Sequence, residues 1–282
     1  MSEHKSSGVL LEQPSRRIKS KPFTKARFVT QVTLLVLGLL TVYGFYTFDY
    51  RNITLLDGLL STLVNFKVMF TEAHFQHFTF WEGLYQVLIT LALAMLTTLL
   101  GAIIALFGGL FAAQNLSNKY VSNAIKGIIA FIRAVPTVLW VLIFAIAAGL
   151  GSVAAVIGMT FHSVGYLIKV YSESFEELDS GVIEALKGSG ANWWQIVFQA
   201  VLPSSITYII SWTFLRFEIN FGVAIAMGAA AGAGGIGFDM FMASAFYYDI
   251  REIGTITYFI LFFAILLEMF ATRMKGKLRT QH

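Results

Sequence analysis

Residues 172–203 read SESFEELDSGVIEALKGSGANWWQIVFQAVLP, a polar stretch between two long apolar runs. Asp179 or Ser180 is placed to cap a short helix, with Glu184 in an early turn where the helix dipole favours an anion. Val182, Ile183 and Leu186 give that helix an apolar face. Gly188 and Gly190 then supply a left-handed stop. A second amphipathic piece with Trp193, Trp194, Ile196 and Val197 leads to Pro203, which suits the head of a following helix. A short helix with an apolar face, standing off a membrane, is a docking element for a soluble partner.

The flanks of this stretch are membrane. Hydrophobic residues make up 57% of the 282 and charged residues 13%, with 26 phenylalanines. Mean hydropathy is +0.71. A soluble chain carries about 25% charge and cannot bury so much apolar surface, and disorder is excluded on the same ground. Spanning the hydrocarbon core takes about 20 apolar residues, and six segments qualify: 28–48, 84–113, 122–149, 152–171, 204–229 and 253–271. The third carries Lys126, Arg133 and Pro136, so its first part reads as a separate helix meeting a kinked span. Residues 28–48 are too long for a signal-peptide core and have no small-residue cleavage site before Asp49, so they read as a retained span.

Six spans place both termini on one side. With that side cytoplasmic, the inside segments hold fourteen basic residues and the outside segments only Arg51, Lys67 and Arg251, which sets the orientation. The tails (1–27 and 272–282) contribute most of the fourteen, including Lys5, Arg16, Arg17, Arg273 and Lys275. Tails beside spans read as topogenic rather than as nucleic-acid binding. Within the outer segment 49–83, residues 53–70 have helical spacing and read as an interfacial helix. His74 and His77 lack a third metal ligand and read as solvated loop histidines. With no cysteine in the chain, disulfides and thiolate metal sites are excluded.

The order Glu184-Ala185-Leu186, three residues, Gly190, nine residues, Ala200, one residue, Leu202-Pro203 resembles the "EAA" loop of bacterial ABC-importer permeases. Every spacing matches the family pattern; Leu186 stands where the second alanine is expected and Ala200 where isoleucine is. The stretches Phe131-Ile-Arg133 to Trp140, His162-Ser-Val-Gly165, Phe217-Glu218-Ile-Asn220 and Ala233 to Phe238 resemble the phosphonate-type branch. The resemblance covers about residues 84–271, and methionine permeases share part of it. It implies an all-α, type I permease fold with Glu184, Ala185, Leu186, Gly190, Leu202 and Pro203 in the loop that docks on an ATPase. It implies a multi-pass protein of the bacterial cell membrane, a second permease copy and an extracellular binding protein. No G-x-x-x-x-G-K-[ST] occurs, so ATP and magnesium are expected on a partner chain and no cofactor or enzyme activity on this one.

Several sharper patterns have plainer readings. Gly232, Gly234, Gly235 and Gly237 include a G-x-G-x-x-G match, but it follows a membrane helix rather than a strand. It reads as irregular backbone packed near the outer end of the fifth span, with a gating role left open. His162 beside Ser163 reads as a hydrogen-bonded or cavity-lining histidine rather than a hydrolase pair, because adjacent helical residues point apart. Lys126 and Lys169 read as snorkelling from the membrane. Arg133, Arg216 and Glu218 are intramembrane charges that must face protein or water. Arg133 lies about 18 Å and Glu218 about 21 Å along their spans. Two readings stay open: the two pair with each other, or Arg133 or Arg216 lines the pathway and attracts the permeant anion. An ion-coupled secondary transporter, with Glu218 as coupling carboxylate, is the rival class, but it does not explain a docking loop.

Overall fold

In the computed structural model, residues 24–48 and 54–279 are described. Most of the basic N-terminal tail, residues 49–53 with Arg51, and residues 280–282 lie outside them. The described chain is helical throughout: α1 (Lys25–Thr47), α2 (Leu55–Thr71), α3 (Phe80–Ala112), α4 (Lys119–Ala134), α5 (Thr137–Ala148), α6 (Ser152–Glu176), α7 (Ser180–Gly188), α8 (Trp193–Ile196), α9 (Leu202–Ala231), α10 (Ile236–Ala245) and α11 (Ile250–Arg279). Two compact units divide it, 1–59 and 60–282. The first holds α1, a 23-residue apolar helix capped by Thr24. The second holds the bundle.

Five helices are long and apolar enough to span: α1, α3, α6, the run from Trp193 to Ala231, and α11. The sixth expected span is a corner. α4 and α5 meet at 91°, and they make a sixth span only if the bent pair is taken together. Pro136, which cannot donate to a continuing helix, caps α5, and the Trp140 indole N–H donates to the Ile132 carbonyl across the bend at 2.9 Å. The bend means that α4 and α5 do not make one straight span, as the path length counted for Arg133 assumed.

Small residues let the helices close. The buried face of α3 runs Gly83, Val87, Thr90, Ala94, Thr97, Gly101, Ala105 and Gly109, in steps of three or four. A Cβ on Gly101 would stand 2.9 Å from Ser163 Cβ of α6, and one on Gly158 would stand 2.6 Å from the Val141 backbone of α5. In lipid, where apolar surface gains little from burial, such close backbone packing holds helices together. Thr79 and Glu82 form a capping box at the head of α3.

Two apolar clusters result. One gathers Val87, Ala94, Val141, Met159, Phe221, Met227, Ile236 and Ile256, and the other gathers Ala105, Leu110, Leu167, Tyr171, Phe175, Ile196 and Val201. On α3, α6 and α9 alike, they are separated by one polar layer near mid-helix: Thr97, Thr98, Ser163, Arg216 and Asn220. Lys126 and Lys169 are not merely snorkelling. Lys126 pairs with Glu176 at 2.7 Å and Lys169 with Glu173 at 3.3 Å.

Candidate functional site

Asp179 accepts from the Gly181 N–H at 2.8 Å and starts α7. The helix ends in a Schellman arrangement: Ala191 N–H donates to Leu186 C=O and Gly190 N–H to Lys187 C=O, both at 3.0 Å. Gly190 carries the required positive φ of 85°. Gly188, also expected to be left-handed, is instead the last ordinary residue of the helix. Ile183 is 3% exposed and fixes α7 to its own bundle, with Leu186 packed beside it. Glu184, Ala185, Lys187 and Gly188 stay exposed, with Glu184, Ala185 and Gly188 turned away from Ile183. The substitution of leucine at 186 therefore falls on the inward face.

The stretch after Gly190 is tied down as well. Asn192 and Gln195 form a capping box on α8. The Trp193 indole N–H donates to Leu116 C=O at 2.9 Å, and its ring stacks on Phe111. A π-helical turn, Val197–Val201, joins α8 to α9, with Leu202 N–H bonding Val197 C=O. Pro203 has no N–H and follows directly on the π-helical turn, the point at which the continuous helix changes its bonding pattern. Sequence reasoning placed the proline correctly and missed the continuous run of helix before it.

The polar layer is the second candidate site. Arg216 is 3% exposed. Its Nε donates to Ser163 Oγ and its Nη2 to His162 Nδ1, each at 3.0 Å. The guanidinium lies over the Tyr166 ring, 5.2 Å from the centroid. Asn220 Nδ2 donates to Thr98 Oγ1 at 2.8 Å and Ser163 Oγ at 3.0 Å. A guanidinium has only donors, so Nδ1 must be the acceptor and the neutral ring carries its proton on Nε2. No described ion pair involves Arg216, Arg133 or Glu218. The expected Arg133–Glu218 pair within one chain is absent: Arg133 ends α4 at the corner and is exposed, and Glu218 is half-buried on α9. An unpaired charge in mid-membrane costs about 2.5–3.5 kcal/mol even on the lenient scale, which the neutral partners of Arg216 offset. Asn220 was quoted in a sequence motif but not singled out, and Ser163 was weighed only as the neighbour of His162; the i, i+4 step from Arg216 to Asn220 was the available signal.

The glycine-rich turn closes the C-terminal end of α9. Gly232, Gly234 and Gly235 all have positive φ. Ile236 N–H donates to Thr90 Oγ1 of α3 at 3.0 Å, and a Cβ on Gly237 would collide with the Ile225 carbonyl. Close packing of irregular backbone is thus observed. Nearby, His74 and His77 are partnered, which corrects the solvated reading. His74 Nε2 meets Asp249 Oδ2 at 3.0 Å. Glu252, 1% exposed, takes both the His77 backbone N–H and its Nδ1 at 2.7 Å. Among the described residues no group of three or more metal-ligating side chains forms.

The family model for binding-protein-dependent transport system inner membrane components matches residues 105–278. The phosphite transport system permease protein PtxC of Stutzerimonas stutzeri is 30% identical over 234 residues, 82% of this chain and 84% of that one. The phosphate-import permease protein PhnE of Mycolicibacterium smegmatis is 29% identical over 194 residues, 68% of this chain, but the match spans only 35% of that protein's length. A chain of the inward-facing MetNI methionine ABC transporter has the same fold, with TM-score 0.62 at 21% identity over 70% of this chain and 96% of that one. With the match covering more than half of its length and apolar helices enough for a multi-pass protein, the chain belongs to the inner-membrane components of binding-protein-dependent transport systems.

Proposed function

We propose that this chain is the permease subunit of an ATP-driven importer for a phosphorus oxyanion such as phosphonate, phosphite or phosphate. The 30% identity to a phosphite permease over most of both chains carries the reading. The mycobacterial relative, named for phosphate import, points to the same class of substrate. In this reading α7 enters a groove on a separate ATPase, which holds ATP and magnesium. The exposed Glu184 and Ala185 make the contact while Ile183 anchors the helix to the bundle. Leu202 and Pro203 head the span that α7 then moves.

The distribution of basic residues supports six crossings with both termini cytoplasmic. Too few helices surround any one path, so a second copy of the chain completes the channel and an extracellular binding protein delivers substrate. The turn of Gly232, Gly234, Gly235 and Gly237 acts as a gate near the partner copy.

The test is the purified permease–ATPase complex, assayed for which ligand, with which binding protein, stimulates ATP hydrolysis. Stimulation by phosphonate, phosphite or phosphate is expected. Stimulation by methionine alone would move the chain to the neighbouring branch of the same family.

A further inference from the structure

The mid-helix layer presents donors and no anion. Arg216 uses Nε and Nη2 on Ser163 and His162, while its Nη1 has no partner among the described residues and is not among the buried atoms lacking one. His162 is half-buried, and its Nε2–H points away from the nitrogen that Arg216 occupies. Arg133 comes to the same place from α4. Its stem passes over Gly165, with Cγ 3.5 Å from where a Cβ there would stand, three residues along α6 from His162. The Arg216 guanidinium from α9 and the Arg133 stem from α4 thus reach residues 162–166 of α6, beside the imidazole of His162.

Every described carboxylate in an ion pair is elsewhere. Glu218 is two residues from Arg216, so on a helix it points to nearly the opposite side. Asn220, Thr97, Thr98 and Ser163 form a hydrogen-bonded brace behind the guanidinium and fix its plane. A rigid, unneutralised guanidinium with spare donors matches tetrahedral oxyanions, which accept two parallel N–H bonds.

Building on the reading of the chain as a phosphorus-oxyanion permease, we propose that Arg216, Arg133 and His162 form a transit site that holds the oxyanion halfway across the membrane. Arg216 is the fixed element, braced from behind. Arg133, exposed at the α4–α5 corner, is the mobile one.

The test uses proteoliposomes carrying the permease with its ATPase and binding protein. Uptake of radiolabelled phosphate and methylphosphonate is measured beside ATP hydrolysis in the same vesicles. Arg133→Gln and Arg216→Lys are each expected to lower oxyanion uptake per ATP hydrolysed at least tenfold. Arg216→Lys keeps the charge and loses the fork; Arg133 is exposed, so its variant reads the site even if the Arg216 variant fails to assemble. Wild-type uptake per ATP in Arg133→Gln overturns the transit site. So does recovery of that variant by a second change, Glu218→Gln, which would mean that Arg133 instead neutralises Glu218 of a second copy. If the wild-type vesicles carry neither phosphate nor methylphosphonate yet respond to another solute, the substrate reading itself has failed, and the transit site with it.

Discussion

At the scale of single residues, the outer surface is held by buried carboxylates whose roles differ. Glu252 accepts two hydrogen bonds from His77 while almost fully buried. Glu252→Ala leaves the His77 N–H and ring without their acceptor, at about 1.5–3 kcal/mol per charged hydrogen bond lost. A fall in the thermal midpoint of the detergent-purified protein is expected, with Glu252→Gln losing less. Asp239 is the opposite case. Burial, then the charges of Glu252 and Glu82, push its carboxyl up to about 6 from an ordinary 3.8. Its Oδ2 is buried without a partner among the described residues. Because the folded state holds this proton to higher pH than the unfolded chain, Asp239 makes the fold less stable as pH rises from about 4 to about 6, and the loss persists above. Asp239→Asn should therefore melt higher than wild type at pH 8 and no higher at pH 4. Equal midpoints at both pH values would show that Asp239 is not strained. By contrast, Asp249 is held below its usual range: burial opposes this, but N–H bonds from Glu252 and Arg251 and the contact with His74 outweigh it. None of these partnerships was legible in the sequence. His74 and Asp249 lie 175 residues apart, and no local pattern brings two such loops together.

At the scale of elements, α7 and its stop were the most legible part of the chain, because capping and left-handed termination are local chemistry. The two glycines make a contrast that separates the roles. Gly188 is helical, with nothing within 4 Å of an added Cβ. Gly188→Ala should be tolerated and should stabilise by about 0.4–1 kcal/mol, by restricting the unfolded chain. Gly190 has equal space, but its φ is 85°. Gly190→Val meets a backbone strain of order 1–3 kcal/mol and should reorient the exposed face of α7. The expected phenotype is a permease that inserts normally but loses coupled transport, read as uptake and ligand-stimulated ATP hydrolysis side by side. Wild-type coupling in Gly190→Val would remove the stop from the mechanism. The α4–α5 corner was only half legible. Pro136 announced a break, but a proline fixes where a helix stops and not the 91° at which the next one leaves. Nor could the sequence show that Arg133 and Glu218, though counted to similar depth, form no ion pair among the described residues.

At the scale of the whole molecule, composition alone decided that the chain is a bundle in a membrane, since no soluble core could absorb its apolar surface. The expected spans 28–48 and 84–113 match α1 and α3 to within four residues, while the helices at 204–229 and 253–271 run longer than the apolar count indicated. What the sequence could not display is the alignment of three helices that stacks their polar residues into one layer: Thr97, Ser163 and Arg216 occupy separate motifs, and only packing brings them level. The central claim is that ATP-driven motion enters this bundle through α7 on the cytoplasmic side. Since the chain has no native cysteine, single cysteines report this without background. Ala185→Cys on the exposed face of α7, and Gln76→Cys on the opposite side of the membrane, are each treated with a short bifunctional cross-linker in the purified permease–ATPase complex. Cross-linking of position 185 to the ATPase, with a yield that changes when ATP is added, and none from position 76, is the predicted result. An ATPase adduct at 76, or none at 185 in a complex whose ATPase co-purifies, would contradict it.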